Sequence, residues 1–288
     1  MTRVAAIDLG SNATRLLVAD VDDGEVTELV RRTRITRLGE GVDARRRLLP
    51  LPIARVRNVL ADYRREAEAL GAERVLAVAT SAVRDAENGE AFLGEVEWSY
   101  GFATRLLSGD EEAALTLRGV GPLASGTVVV DIGGGSTELI TASFRTSLEV
   151  GCVRLTERHG SDLDAMAAEV RSVLPPLPAE RALGVDGTTA EVAALGGHGP
   201  TVTLETIAEV LAWLEGTPDA ERRARLLQPD RSEVLPAGVV VLRETLLHLG
   251  LAETTAWERD LLTGAALAAA ELPAPDEGAT PPGAYTCC

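Results

Sequence analysis

The chain contains two copies of one strand–turn–strand motif, and this duplication constrains its fold more than any other feature. The second copy, residues 127–140, has four β-branched residues before Asp131, then three glycines, then a second alternating run. The first copy, residues 4–18, repeats this plan, with Asp8 aligned to Asp131 and a glycine two positions after each aspartate. β-Branched runs favour strands, and two units of one design predict a duplicated fold with two lobes closing on one phosphate-bearing ligand.

The turn of each copy has the composition of an anion-binding loop. Consecutive glycines at 133–135 permit positive φ and let backbone N–H groups face a ligand without an intervening Cβ. The chain here has neither the Gly-x-Gly-x-x-Gly pattern nor the Gly-Lys-Ser/Thr of a P-loop, so we expect the anion on a β-hairpin loop. Seven positions after the two aspartates stand Arg15 and Glu138. A hairpin that binds nothing is the alternative, and the second copy makes it less favoured.

Composition excludes several classes of protein. The chain has 288 residues with 45% hydrophobic content, enough for two globular domains. It lacks an apolar run of about 20 residues and a signal peptide, so we expect a cytoplasmic protein without a membrane partner. Three cysteines and three scattered histidines fit neither a disulfide framework nor a zinc site. Carboxylates and hydroxyls remain as the chemical equipment.

The charge distribution is uneven. The net charge of −16 argues against binding to nucleic acid. Residues 31–65, however, contain eleven arginines and three acidic residues, a net charge of +8. This basic strip would guide a polyanion, whereas the alternative is a solvated helix face.

Several elements are predictable from spacing and capping. Apolar residues predict a helix from about 53 to 70, a strand at 74–79, and then a helix with Arg84 in its first turn. A basic residue there gains nothing from the helix dipole, which favours a ligand-facing role over a salt bridge to Glu87. Ser108-Gly109-Asp110-Glu111 predicts a capping box. Further helices are expected at 162–174, 204–214, 236–249 and 259–272. The predicted domains are 1–120 and 121–272, with a terminal helix that packs back on the first, and a disordered tail at 273–288.

The motifs together resemble those of the exopolyphosphatase and guanosine pentaphosphate phosphatase family, within the acetate kinase, sugar kinase, Hsp70 and actin superfamily. Besides the two turns, the resemblance rests on residues 37–41, 79–85, 108–113 and 151–156, in the family's order. It is dense from residue 3 to about 156. It implies an α/β fold of two duplicated ribonuclease H-like lobes, the actin-like ATPase fold, with an interdomain cleft.

The resemblance also implies a site and a mechanism. The phosphate-binding residues it indicates are Gly10, Ser11, Asn12, Arg15, Gly133, Gly134, Gly135, Ser136, Thr137, Gly187 and Thr188. Arg84 would neutralise developing charge, and either Glu112 or Glu138 would activate water. Asp8 and Asp131 would hold Mg²⁺, whose preferred ligands are oxygens. Phosphoryl transfer needs mainly positioning and charge stabilisation.

The expected reaction is release of terminal orthophosphate from inorganic polyphosphate, with short chains preferred, by a homodimer. Hydrolysis of guanosine pentaphosphate is the close alternative. Two departures from the family pattern, Asp186 in the third glycine loop and Leu261 after Arg259-Asp260, motivate an alternative from another class, a non-catalytic sensor of polyphosphate or an alarmone. A phosphotransferase similar to the sugar or acetate kinases is a further alternative, and the same departures make the nucleotide pocket that it needs less favoured.

Overall fold

A computed structural model describes residues 1–185, 187–197 and 199–273. Asp186 and His198 lie outside the described residues, as does the predicted disordered tail beyond its first residue. The chain forms two compact units: unit 1 contains residues 1–121 and the C-terminal segment from 261, and unit 2 contains residues 122–260. In the part of the chain described, no helix combines the length and apolar character needed to span a bilayer.

The elements of residues 1–121 begin with three consecutive strands, after which helices and single strands follow one another. In chain order they are β1 (Thr2–Leu9), β2 (Ala13–Asp22), β3 (Glu25–Ile35), α1 (Val42–Arg45), α2 (Pro50–Ala69), β4 (Arg74–Ala79), α3 (Ser81–Arg84), α4 (Gly89–Tyr100), β5 (Ala103–Leu106) and α5 (Gly109–Val120).

The elements after residue 121 also begin with three consecutive strands. They are β6 (Thr127–Ile132), β7 (Thr137–Ile140), β8 (Arg145–Leu148), α6 (Cys152–His159), α7 (Leu163–Val173), β9 (Arg181–Gly184), α8 (Gly187–Gly196), β10 (Thr201–Thr203), α9 (Leu204–Gly216), α10 (Asp219–Arg225), a 3₁₀ helix (Pro229–Arg231), α11 (Leu235–Leu249), β11 (Glu253–Ala256) and α12 (Leu261–Ala269).

Unit 1 is a three-layer structure around a five-stranded sheet of order β3-β2-β1-β4-β5. Successive side chains of a strand point to opposite faces, so β1 serves two cores. Ile7 and Leu9 pack with Val56 and Leu60 of α2 on one face, whereas Val4 packs with α12 on the other. Burial on both faces explains why β1 reads as a nearly continuous apolar run.

Helix α12 belongs to unit 1 although it ends the described chain. Its residues from Leu261 to Ala269 are all buried, and they pack with β1, β2, β4 and α5. A Cβ on Gly264 would lie 1.9 Å from the carbonyl oxygen of Leu115 in α5. Glycine is therefore required for the close approach of these two helices.

Unit 2 repeats the sheet of unit 1. Its order, β8-β7-β6-β9-β11, corresponds strand for strand to β3-β2-β1-β4-β5, with β10 added at the far edge. In both sheets the first three strands pair antiparallel and the last two join in parallel. Val128, Val130 and Ile132 of β6 face a core formed with α6 to α9 and α11. The predicted duplication is therefore present in strand order and direction.

The structure corrects one local prediction. Helix α3 is a single turn that ends at Arg84, and the next helix begins only at Gly89. Arg84 is therefore the last residue of its helix, where the dipole favours a positive charge, and the argument from a misplaced charge is wrong. Its salt bridge is with Glu112, not Glu87. The capping box at Ser108 is confirmed, because both of its reciprocal hydrogen bonds are present.

Candidate functional site

The first turn joins β1 to β2 and is closed by one backbone hydrogen bond. The N–H of Gly10 donates to the carbonyl of Ala13 at 3.1 Å. A Cβ on Gly10 would lie 2.9 Å from that carbonyl oxygen and 3.5 Å from a carboxylate oxygen of Asp8. Asp8 is opposite Arg15 in the strand register, and Arg15 donates to its carboxylate at 2.8 Å. Glycine therefore keeps open the space beside a buried, charge-paired aspartate.

The second turn, between β6 and β7, has the same geometry. The N–H of Gly133 donates to the carbonyl of Ser136 at 2.9 Å, and a Cβ on Gly133 would lie 3.1 Å from that oxygen. In the strand register Asp131 is opposite Glu138, just as Asp8 is opposite Arg15 in the first turn. The duplication thus extends from the sheets to the hydrogen bond that closes each turn.

The carbonyl groups of the second turn are held by the start of α6. The N–H groups of Cys152 and Val153 donate to the carbonyls of Gly133 and Gly134, and Arg154 donates through Nε to the carbonyl of Gly135 at 2.7 Å. The backbone N–H groups at 134–136 have no acceptor among the described residues. The carbonyl groups of this turn are engaged by α6, while its backbone N–H groups remain available to a ligand. This is the arrangement of a backbone anion nest.

The first turn is held in a comparable way by residues 36–39 and by α3. Thr36 and Arg37 donate through their backbone N–H groups to the carbonyl of Asn12, and Gly39 donates to the carbonyl of Ser11. The Ser11 and Ser81 hydroxyls lie 2.8 Å apart. Asn12 is buried, and its side-chain Oδ1 has no hydrogen-bond partner among the described residues. The backbone N–H groups of Ser11 and Asn12 likewise have no acceptor among the described residues.

Glu112 and Arg84 form an ion pair in unit 1. Arg84 donates through Nη1 to the carbonyl of Leu107 at 2.7 Å and to Glu112 Oε2 at 3.2 Å. Glu112 is 6% exposed, and burial raises its pKa from 4.5 to about 7, with Asp8 adding to the rise and Arg84 opposing it. A carboxylate with that pKa is able both to accept and to release a proton near neutrality.

Glu138 is the second candidate base and lies on β7. It is 1% exposed, and the hydroxyl of Ser147 on β8 donates to its Oε1 at 2.6 Å. Thr137, beside it, donates to the carbonyl of Val150 at 2.6 Å. The strand register places Ser147 opposite Glu138, so the hydroxyl orients the carboxylate. Sequence reasoning missed Ser147, although the alternation of β7 and β8 could have indicated it.

The third glycine loop leads into α8, which begins at Gly187. Thr188 is fully buried, and its hydroxyl accepts a hydrogen bond from Arg231 at 3.0 Å. A Cβ on Gly187 would lie 1.9 Å from a guanidinium nitrogen of the same arginine. The group that remains for a ligand at Gly187 is thus its N–H at the start of the helix. Arg231 was missed because it is 43 residues away in sequence.

The residues predicted to hold Mg²⁺ have the ligand chemistry that this ion prefers. Asp8 and Asp131 supply carboxylate oxygens beside turns that present backbone donors. In the described part of the chain, no group of three or more His, Cys, Asp or Glu side chains is placed to hold a metal. Mg²⁺ usually needs no such cage, because it is bound by one or two carboxylates together with substrate phosphates and water.

The basic strip of residues 31–65 is largely charge-paired. Arg32 pairs with Glu66 at 2.7 Å, Arg57 with Glu95 at 2.6 Å, and Arg55 with Glu40 at 2.6 Å. The three consecutive arginines at 45–47, at the end of α1, have no acidic partner among the described residues. The strip as a whole is therefore less cationic than its composition indicates, and its unpaired charge is concentrated in this short segment.

The chain is similar in sequence to known phosphatases. The sequence pattern of the Ppx/GppA phosphatase family matches residues 17–261. Exopolyphosphatase 2 of Mycobacterium tuberculosis is 38% identical over 94% of this chain and 99% of its own. A guanosine-5'-triphosphate,3'-diphosphate pyrophosphatase of Vibrio atlanticus is 34% identical over 59% of this chain and 36% of its own length.

Solved structures agree with the sequence comparison. An exopolyphosphatase-like protein has a TM-score of 0.85 at 29% identity, with 93% of this chain and 97% of that one covered. A Ppx/GppA family member from Aquifex aeolicus has a TM-score of 0.73 at 28% identity, with 94% and 97% covered. The predicted fold class, two duplicated α/β lobes of the actin-like ATPase type, is confirmed.

Proposed function

The chain belongs to the Ppx/GppA phosphatase family, a family of phosphoanhydride hydrolases, and we propose that it is a Mg²⁺-dependent exopolyphosphatase. In the proposed reaction, water attacks the terminal phosphorus of inorganic polyphosphate and the bridging P–O bond breaks. One orthophosphate leaves, and the chain becomes one phosphate shorter. A relative that matches over 99% of its own length carries the name exopolyphosphatase 2.

The observation that carries the proposal is the environment of Glu112. A hydrolase that uses water directly needs a base whose pKa is close to the working pH. Burial raises the pKa of Glu112 to about 7, whereas a solvent-exposed glutamate would be a much weaker base. The Arg84 guanidinium, 3.2 Å from this carboxylate, is suited to stabilise the charge that develops on the transferred phosphoryl group. We therefore assign the base to Glu112.

The other residues bind and orient the phosphates. The unused N–H groups of the two turns, at 11–12 and 134–136, would donate to phosphate oxygens, and the Gly187 N–H would add a further donor. Glu138, held by Ser147, would orient water or the metal's hydration shell. Asp8 and Asp131 would hold Mg²⁺, which when bound neutralises phosphate charge and polarises the phosphoryl oxygens.

Guanosine pentaphosphate is the second candidate substrate, because the Vibrio relative carries that activity in its name. Both reactions hydrolyse a phosphoanhydride and use the same equipment. The expected homodimer remains a prediction, which light scattering during size-exclusion chromatography tests.

Phosphate release tests the proposed function. The purified protein should release orthophosphate from tripolyphosphate and longer chains when Mg²⁺ is present, with higher kcat/KM on the short chains. Glu112→Gln should lower kcat by orders of magnitude while leaving substrate binding nearly intact. Glu111→Gln is the matched control, because Glu111 is adjacent and exposed, and its contacts are the capping box with Ser108 and a 4.0 Å ion pair with Arg105. Absence of turnover on every chain length and on guanosine pentaphosphate would refute the proposal.

A further inference from the structure

Trp257 is an exposed aromatic residue at the carboxyl end of β11 in unit 2. Strand β11 pairs in parallel with β9, with Ala256 opposite Gly184. The N–H of Trp257 continues this ladder by donating to the carbonyl of Gly184 at 2.9 Å. Its side chain is 45% exposed, and it belongs to none of the hydrophobic clusters formed by the described residues. The position is fixed by the backbone, while the indole is not used in a core.

The strand register relates Trp257 to the second turn. Gly184 of β9 is opposite Val130 of β6, and the N–H of Val185 donates to the carbonyl of Val130 at 3.1 Å. Asp131, Val185 and Trp257 therefore occupy the same level on three neighbouring parallel strands. Residues at one level of a parallel ladder project to the same face, opposite to the face on which Val130 packs against the helices. Two strand spacings, about 10 Å, separate Asp131 from Trp257.

This placement lies where ligands of open α/β sheets bind, outside the carboxyl ends of parallel strands. An inorganic polyphosphate has no group that would use an indole face. A nucleotide does, since its base stacks on aromatic side chains, and a ribose with its phosphates is able to bridge the separation from Trp257 to the turn. We propose that Trp257 is a stacking platform for the base of a purine nucleoside polyphosphate whose phosphates lie at the turn of residues 133–135. This inference rests on the proposed function, because it concerns the substrate class of the same site.

The first test compares two substrates in one variant. Trp257→Ala should lower the ratio of kcat/KM for guanosine pentaphosphate to kcat/KM for tripolyphosphate by about 5-fold to 150-fold, the range typical of lost base stacking. Trp257→Phe should restore part of the ratio, because it retains an aromatic face. Trp98→Ala is the control, since Trp98 is 66% exposed on α4 of unit 1 and should leave the ratio unchanged. A ratio that is unchanged in Trp257→Ala would overturn the inference.

The second test measures binding without turnover. In a variant with Trp98→Phe and Trp213→Phe, Trp257 is the remaining tryptophan of the chain's three. Guanosine triphosphate should quench its fluorescence saturably, and tripolyphosphate should reverse the quenching by competing for the phosphate site. Equal effects of the two compounds, or no quenching at all, would contradict stacking. If the wild-type protein hydrolyses neither substrate, the proposed function fails, and the fluorescence titration still decides the role of Trp257.

Discussion

Replacement of Glu112 by glutamine should uncouple the stability of unit 1 from pH. The pKa of Glu112 is raised from 4.5 to about 7 by burial, so between these values the folded protein holds a proton that the unfolded chain has released. Stability therefore falls as the pH rises through this window. At about 1.4 kcal/mol for each tenfold change in acidity, the whole rise corresponds to on the order of 3 kcal/mol. About 2 kcal/mol of this lies between pH 5.5 and 8.

The assay is urea unfolding at fixed ionic strength over that pH range. Trp98 reports on unit 1 when Trp213 and Trp257 of unit 2 are replaced by phenylalanine in both proteins. The glutamine variant should gain about 2 kcal/mol relative to the parent between pH 5.5 and 8, because a neutral amide carries no charge to desolvate. At any single pH, the difference in unfolding free energy between variant and parent also includes the altered contact with Arg84. The change of this difference with pH is therefore the informative quantity.

Two comparisons make the result decisive. The difference in unfolding free energy between Glu111→Gln and the parent should not change from pH 5.5 to 8. The Ser108 hydrogen bonds lower the pKa of Glu111, so the stability that its carboxylate contributes is lost only as the pH falls toward that lowered pKa. In the parent enzyme, kcat/KM should rise with pH through about 7 as Glu112 loses its proton. A stability difference that stays flat from pH 5.5 to 8 would refute the assignment of a raised pKa, and full turnover in Glu112→Gln would refute its role as the base.

Three further predictions concern backbone approach and charge. Gly10→Ala should lower kcat/KM at least tenfold and more than Gly133→Ala, because the new Cβ would lie 2.9 Å rather than 3.1 Å from the carbonyl that closes the turn. Gly264→Ala should destabilise unit 1 by about 2 kcal/mol or more in denaturant unfolding, since its Cβ would lie 1.9 Å from a carbonyl oxygen of α5. Gly94→Ala is its control and should stabilise α4 by up to about 1 kcal/mol, because nothing lies within 4 Å. Reversal of the charges at Arg45–Arg47 should raise KM for polyphosphate more than it lowers kcat. The increase in KM should disappear as salt is added, because charges are screened over about 8 Å at physiological ionic strength. An unchanged KM at low salt would exclude guidance of the substrate by this segment.

The sequence predicted those parts of the site that are contiguous in the chain. Both turns could be found because the aspartate, the glycines and the second strand lie within about a dozen residues of one another. The capping box at Ser108 is equally local. Arg154 lies in the motif at residues 151–156, but its structural role could not be predicted, because its hydrogen bond to the carbonyl of Gly135 joins residues 19 positions apart, where α6 approaches the turn. No periodicity or capping rule encodes such a contact.

Counting charges in the sequence overestimated the basic strip of residues 31–65, also because contacts between distant residues were not visible. The composition of residues 31–65 records eleven arginines, yet it does not record the acids that come from outside the segment. Glu66 and Glu95 neutralise Arg32 and Arg57 from positions beyond it. Because paired charges contribute little long-range field at physiological salt, a basic stretch of sequence indicates a basic surface only after the tertiary partners are known.

The two turns are alike in backbone and unlike in the charge of the residue pairs beside them. In unit 1 the register pair is Asp8 and Arg15, joined at 2.8 Å, so the aspartate already has a cationic partner. In unit 2 the equivalent pair is Asp131 and Glu138, two acidic residues directly opposite each other on neighbouring strands. Like charges in that relation destabilise a sheet unless a cation lies close by. At one pair of equivalent positions the duplicated fold therefore carries opposite charges, Arg15 and Glu138, so the acidic pair in unit 2 depends for its stability on groups outside the pair.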